Sequence, residues 1–176
     1  MQQPKYKFYA TILDAFWNYL NSDIIYNRYW GFSDNPPHTE EEFQQDAERW
    51  IKNWKREFRI DDMDAPLSDE NKKGAESRRK LLSEMIDFCL VRELRPVLVL
   101  PPMHPSLSRL FTKEFRENYI YSFLRRTNTR NILFLDYFDD KRFVSAENYD
   151  NSFFLSQEGA RRFTRIVLED VGLSLI

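Results

Sequence analysis

The sequence predicts an α/β fold: a partial three-layer parallel sheet preceded by two amphipathic helices. Three observations carry this reading. Two short apolar runs, Val97-Leu98-Val99-Leu100 and Asn131-Ile132-Leu133-Phe134-Leu135, have the length and composition of buried parallel strands. From Ser68 onward the order is helix, strand, helix, strand, helix, which fits right-handed crossovers. The first 66 residues show helical spacing of apolar side chains and no strand run. The division follows: residues 1–66 as a helical, aromatic-rich segment, and residues 67–176 as the α/β portion.

Composition bounds the function classes. The chain has 176 residues, 42% hydrophobic and 31% charged, which excludes disordered and fibrous classes. Lys+Arg 26 against Asp+Glu 28 gives a net charge of −2, so no basic excess exists to neutralise a phosphate backbone, and nucleic acid is not an expected partner. One cysteine excludes an internal disulfide and a Cys-rich metal site; four glycines leave no Gly-rich phosphate loop. No cofactor is expected. No apolar run approaches the about 20 residues that span a bilayer. Asp14 and Asn18 interrupt the apolar N-terminus and no small-residue cleavage site follows. A cytoplasmic location is the expectation.

The elements follow in order. Phe8, Ile12, Leu13, Phe16, Trp17 and Leu20 make one wide apolar face, so a helix is predicted over residues 7–21. An aromatic loop follows, with Tyr26, Tyr29, Trp30 and Phe32, and two prolines end it. Thr39 with Glu42 three residues later is a capping box, and Glu40 and Glu41 favour the positive helix end. Capping accounts for that acidic run more economically than a metal site with His38. Phe43, Ala47, Trp50, Ile51, Trp54 and Phe58 are the buried stripe of this second helix. An acidic linker over residues 60–66 precedes a third helix over 68–93. Its apolar face holds Ala75, Leu82, Met85, Ile86 and Cys89, which makes Cys89 a core residue rather than a nucleophile. A fourth helix is predicted over 106–126. Ser156 caps the last helix, with Ala160, Phe163, Val167 and Val171 facing inward.

In open α/β sheets ligands bind outside the carboxyl ends of the strands. Two segments occupy that rim: Pro101-Pro102-Met103-His104-Pro105-Ser106 and Asp136-Tyr137-Phe138-Asp139-Asp140. His104 is a candidate general base, because an imidazole titrates near neutrality, or else it fixes the double-proline turn. Asp139 and Asp140 are a candidate carboxylate pair or cation site, or else solvated turn residues.

The tail from Tyr149 to Thr164 resembles the last block of the SGNH/GDSL hydrolases, in which an Asp-x-x-His-Leu segment precedes a helix opening on a Glu-Gly-Ala turn. Leu155, Ser156, Glu158, Gly159, Ala160, Phe163 and Thr164 carry the likeness. The strand at Val97 and its Pro101-Pro102 loop are similar to a branch of that superfamily, the D-alanyl-transfer proteins of teichoic acid synthesis. The resemblance covers residues 67–173 and implies a flavodoxin-like, SGNH-type three-layer sheet. It also implies site positions. The family's histidine falls on Phe154 and its aspartate on Asn151; one residue earlier, Asp150 pairs with Phe153. No Gly-Asp-Ser turn occurs, and Ser33 is its nearest imitation.

Loss of a triad serine or histidine removes on the order of a million-fold in rate. The expected function is therefore a truncated or degenerate hydrolase relative, without esterase activity in isolation. Two other readings stand beside it. One is an esterase or O-acyltransferase with a non-standard site, using His104 as base and Ser33 or Ser106 as nucleophile. The other is an aromatic-rich helical interaction module. Two strands leave a sheet edge unpaired, so self-association, an upstream half or a partner chain is expected.

Overall fold

Thr39 opens the first helix among the residues that the computed structural model describes, 37–172. Its hydroxyl accepts from the Glu42 N–H at 3.2 Å, and the Glu42 carboxylate accepts from the Thr39 and His38 N–H groups at 2.9 and 2.8 Å. The expected capping box is thus present, and those backbone donors hold the Glu42 carboxyl below its usual range. Helix α1 (Glu40–Phe58) buries Phe43, Asp46, Ala47 and Trp50 and ends at Arg59, which takes the left-handed conformation with φ 53°. The helix expected over 7–21, the aromatic loop after it, Trp17, Trp30 and Ser33 lie outside the described residues.

Among the described residues, 37–172 belong to one unit, and α1 shares a core with residues of the α/β portion. Met63, in the linker, is buried there with Trp50, Leu107, Phe111 and Phe138. Burying each such side chain contributes roughly 1.5–3 kcal/mol. A second cluster joins Phe43, Phe143 and Tyr149.

Helix α2 (Asp69–Val91) is capped by Ser68, whose hydroxyl accepts from the Asn71 N–H. It buries only Ile86 fully. Met85, expected on the inner face, is 57% exposed, beside Leu81 at 58% and Phe88 at 54%.

Strand β1 (Val97–Leu100) pairs in parallel with β2 (Leu133–Asp136), Val97 opposite Leu133 and Leu100 opposite Asp136. The expected pairing is present, and the sheet has two strands among the described residues. The strands are not fully buried, contrary to expectation. Side chains alternate across a sheet, and the face bearing Val99 (36% exposed) and Leu133 (51%) stays open. The other face sends Leu100 into the core.

The fourth helix expected over 106–126 is broken. Helix α3 (Pro105–Ser108) stops, Thr112 caps α4 (Lys113–Phe115), a π-helical stretch runs over Arg116–Tyr121, and α5 (Ser122–Thr127) completes the crossover. Arg116 secures the break by donating to the carbonyls of Phe111 and Ser108, which places Phe111 in the core. Helix α6 (Gln157–Asp170) follows two 3₁₀ turns, Lys141–Phe143 and Ala146–Asn148. Ala160 is exposed, not inward; Gly159 is the buried residue of that turn. A Cβ on Gly159 would lie 2.0 Å from the Asn148 carbonyl oxygen, so glycine alone lets α6 sit against the 146–148 turn.

Candidate functional site

The carboxyl end of β1 delivers the chain through Pro101 and Pro102 to His104. Pro105 starts α3, and His104 is its N-cap: Nδ1 accepts from the Ser106 N–H at 3.2 Å. The His104 backbone is also engaged. Its N–H donates to the Ser152 carbonyl at 3.0 Å, and its carbonyl accepts from the Leu107 and Ser108 N–H groups. The ring is wholly buried, stacked on Phe43 at 3.9 Å between centroids and 11° between planes, with Tyr149 edge-on at 5.3 Å. Burial holds the imidazole below its ordinary value of 6.5, so the neutral form is favoured. With Nδ1 accepting from a backbone donor, the proton of the neutral ring belongs on Nε2, which is buried without a hydrogen-bond partner. Neither ring nitrogen then offers a lone pair to a substrate.

The tail residues meet His104 from the other side. Asn151, at the family's aspartate position, is buried, and its Oδ1 accepts from the Phe153 and Phe154 N–H groups at 2.9 and 2.8 Å. It folds a turn. Asp150 is exposed, and its N–H donates to the Phe154 carbonyl. Phe154, at the family's histidine position, packs in the main core beside Trp50, with ring centroids 5.9 Å apart. Ser156 caps α6 as expected, accepting from the Gly159 N–H, and its own hydroxyl donates to the Glu147 carbonyl.

The buried polar centre of this corner is a pair the sequence reading missed. Ser152, fully buried, donates both its N–H (2.9 Å) and its hydroxyl (2.5 Å) to Asp46 Oδ2. Asp46 Oδ1 accepts from Arg49. A buried carboxylate with both oxygens occupied braces α1 against the tail. The signal was available: Asp46 stands on the Phe43–Ala47–Trp50 stripe, where a charged residue requires a partner. Ser106 is buried as well, on α3 beside its cap. Thus His104, Ser106, Asn151 and Ser152 lie buried at one corner, where His104 Nδ1 and Asn151 Oδ1 hold backbone, the Ser152 hydroxyl holds Asp46, and His104 Nε2 and Asn151 Nδ2 are buried without a partner.

On the second rim, Asp139 pairs with Arg116 and Asp140 with Arg142, while Asp136 accepts from the Tyr121 hydroxyl at 2.8 Å. Desolvation, then this bond, push the Tyr121 phenol up to about 12. Each carboxylate therefore has its own partner, and among the described residues no group of three or more metal-ligating side chains occurs. No helix among them is long and apolar enough to cross a membrane.

Compared with known proteins, the chain matches no family model, no curated protein and no solved structure.

Proposed function

We propose that this chain is a catalytically degenerate relative of the SGNH/GDSL hydrolases, on a flavodoxin-like three-layer plan, and that it acts by binding rather than by hydrolysis. The observation that carries the reading is His104. Its ring caps α3, stacks on Phe43 and is wholly buried. A general base must reach the proton it takes, and this imidazole does not reach solvent.

The rest of the corner agrees with that role. A phenyl ring stands at the position where the resemblance puts a base, and it packs with Trp50. The Ser152 hydroxyl donates to a carboxylate and is closed from solvent. A working esterase that used His104 would need the ring to leave Phe43 and α3 to lose its cap. Self-association belongs to the same reading and is supported by the exposed Leu81, Met85 and Phe88 side chains on α2.

The test is paired. Purified protein is incubated with p-nitrophenyl acetate, and separately with a fluorophosphonate that labels activated serines. No turnover above buffer and no label are expected. Turnover together with a label mapped to Ser33 or Ser106 would overturn the reading and restore the hydrolase.

A further inference from the structure

Away from the closed corner lies a cleft of a different kind. It encloses about 360 Å³ between the end of α1, the face of α2 and the π-helical stretch. Eight of its sixteen lining residues are aromatic, among them Trp54, Phe58, Phe115 and Phe123, and none is a carboxylate. Ligand pockets run from about 300 to 1,000 Å³, so this one suits a small, flat body of one or two rings. Aromatic walls favour such a body through edge-to-face and offset contacts.

One charge lines the cleft, that of Arg78. Its neighbour Arg79 is paired with Glu76. Arg78 has no ion pair or hydrogen bond among the described residues. Two other side-chain donors of the lining are committed: Asn71 Nδ2 donates to the Phe58 carbonyl at 2.7 Å, and the Tyr119 hydroxyl donates to the Ala65 carbonyl. The Arg78 guanidinium lies over Gly74, where a Cβ would stand 3.3 Å from Nη1. The lining thus has apolar walls and one uncommitted cation with a planar fork of donors, a group that matches carboxylate geometry.

We infer that this cleft binds a one- or two-ring aromatic anion, with the rings against Trp54 and its aromatic neighbours and the carboxylate or sulfonate on Arg78. The inference names the ligand class for a protein that acts by binding, and it needs nothing from the His104 corner.

The experiment is calorimetric titration of the full chain with 2-naphthoate. Saturable one-to-one binding is expected. Arg78→Gln should weaken it about tenfold, the size of one charge-assisted hydrogen bond at an open site, and Arg78→Lys should recover part of the loss. The neutral analogue 2-naphthalenemethanol should bind the unaltered protein about as weakly as naphthoate binds Arg78→Gln, and Arg78→Gln should weaken it no further. Ala75→Trp, which places a ring in the cleft, should abolish binding; Ala75→Leu, a smaller filler, should weaken it if the tryptophan variant does not fold by circular dichroism. Absence of saturable binding, equal affinity of Arg78→Gln, or binding undisturbed by the Ala75 substitutions would overturn the inference. Ester turnover with naphthoate binding intact would sink only the non-catalytic reading; lost binding with no turnover would sink only this one.

Discussion

Helices α1 and α2 begin alike and end in different circumstances. Both open on a side-chain cap with acidic residues in the first turn. Helix α1 then buries four residues, and one of them, Asp46, is bonded to a residue 106 positions away. Helix α2 buries one and leaves Leu81, Met85 and Phe88 more than half exposed. Local signals make a helix; a long-range polar partner fixes where it sits. The difference teaches that α1 is locked into this fold, whereas α2 carries apolar surface that the described residues do not cover.

The largest expected effect comes from breaking the lock. Asp46→Ala leaves the buried N–H and hydroxyl of Ser152 without an acceptor and should cost about 3 kcal/mol, read as a shift in the urea midpoint. Leu81→Ala on α2, at a side chain already 58% exposed, should cost under about 0.5 kcal/mol by the same measurement. Equal losses at the two sites would erase the contrast between the helices.

The second effect concerns the tail that Asp46 holds. Gly159→Ala drives a methyl into the Asn148 carbonyl and should cost about 2 kcal/mol, measured by thermal unfolding. An unchanged melt would mean that α6 does not need its close seat on the 146–148 turn.

A smaller effect is pH-dependent. The folded pKa of His104 lies below its unfolded value, so the unfolded chain binds the extra proton first as pH falls. The stability from keeping the ring neutral is complete above about pH 6.5 and is lost as pH falls below it toward the folded value. Unfolding midpoints should drop between pH 7 and 5, and His104→Asn, which keeps a capping acceptor without a titrating group, should flatten that slope. A slope unaltered in the variant would assign the pH dependence to other groups.

The smallest effect on stability accompanies the clearest effect on assembly. Phe88→Ser should change stability by under about 0.5 kcal/mol yet lower the sedimentation coefficient at micromolar concentration. An unaltered protein already monomeric there would remove the case for α2 as an interface.

Much of this structure was legible in the chain because it is local. Thr39 with Glu42, and Ser156 before Gly159, announce helix starts through bonds three residues long. The apolar runs over 97–100 and 131–135 pair in parallel, as the helix-length crossover between them leads one to expect. Their burial was not legible, because an apolar strand cannot reveal whether a second layer covers it. The 106–126 segment has unbroken helical spacing, and the break depends on Arg116 reaching two carbonyls across it. Of the site residues, His104 was found for its chemistry, but its burial depends on Phe43 from a distant helix. Asp46 and Ser152 were passed over because their bond joins opposite ends of the described chain.

A closed, neutral His104 is what makes this corner structural. The direct measurement is its imidazole Cε1–Hε1 resonance, assigned by comparison with His104→Asn and followed by NMR from pH 8 to 5. A neutral ring protonated on Nε2, with no inflection near 6.5, is the expected result. A full titration centred at or above 6.5 would show an accessible, basic imidazole and contradict the claim that this corner is structural.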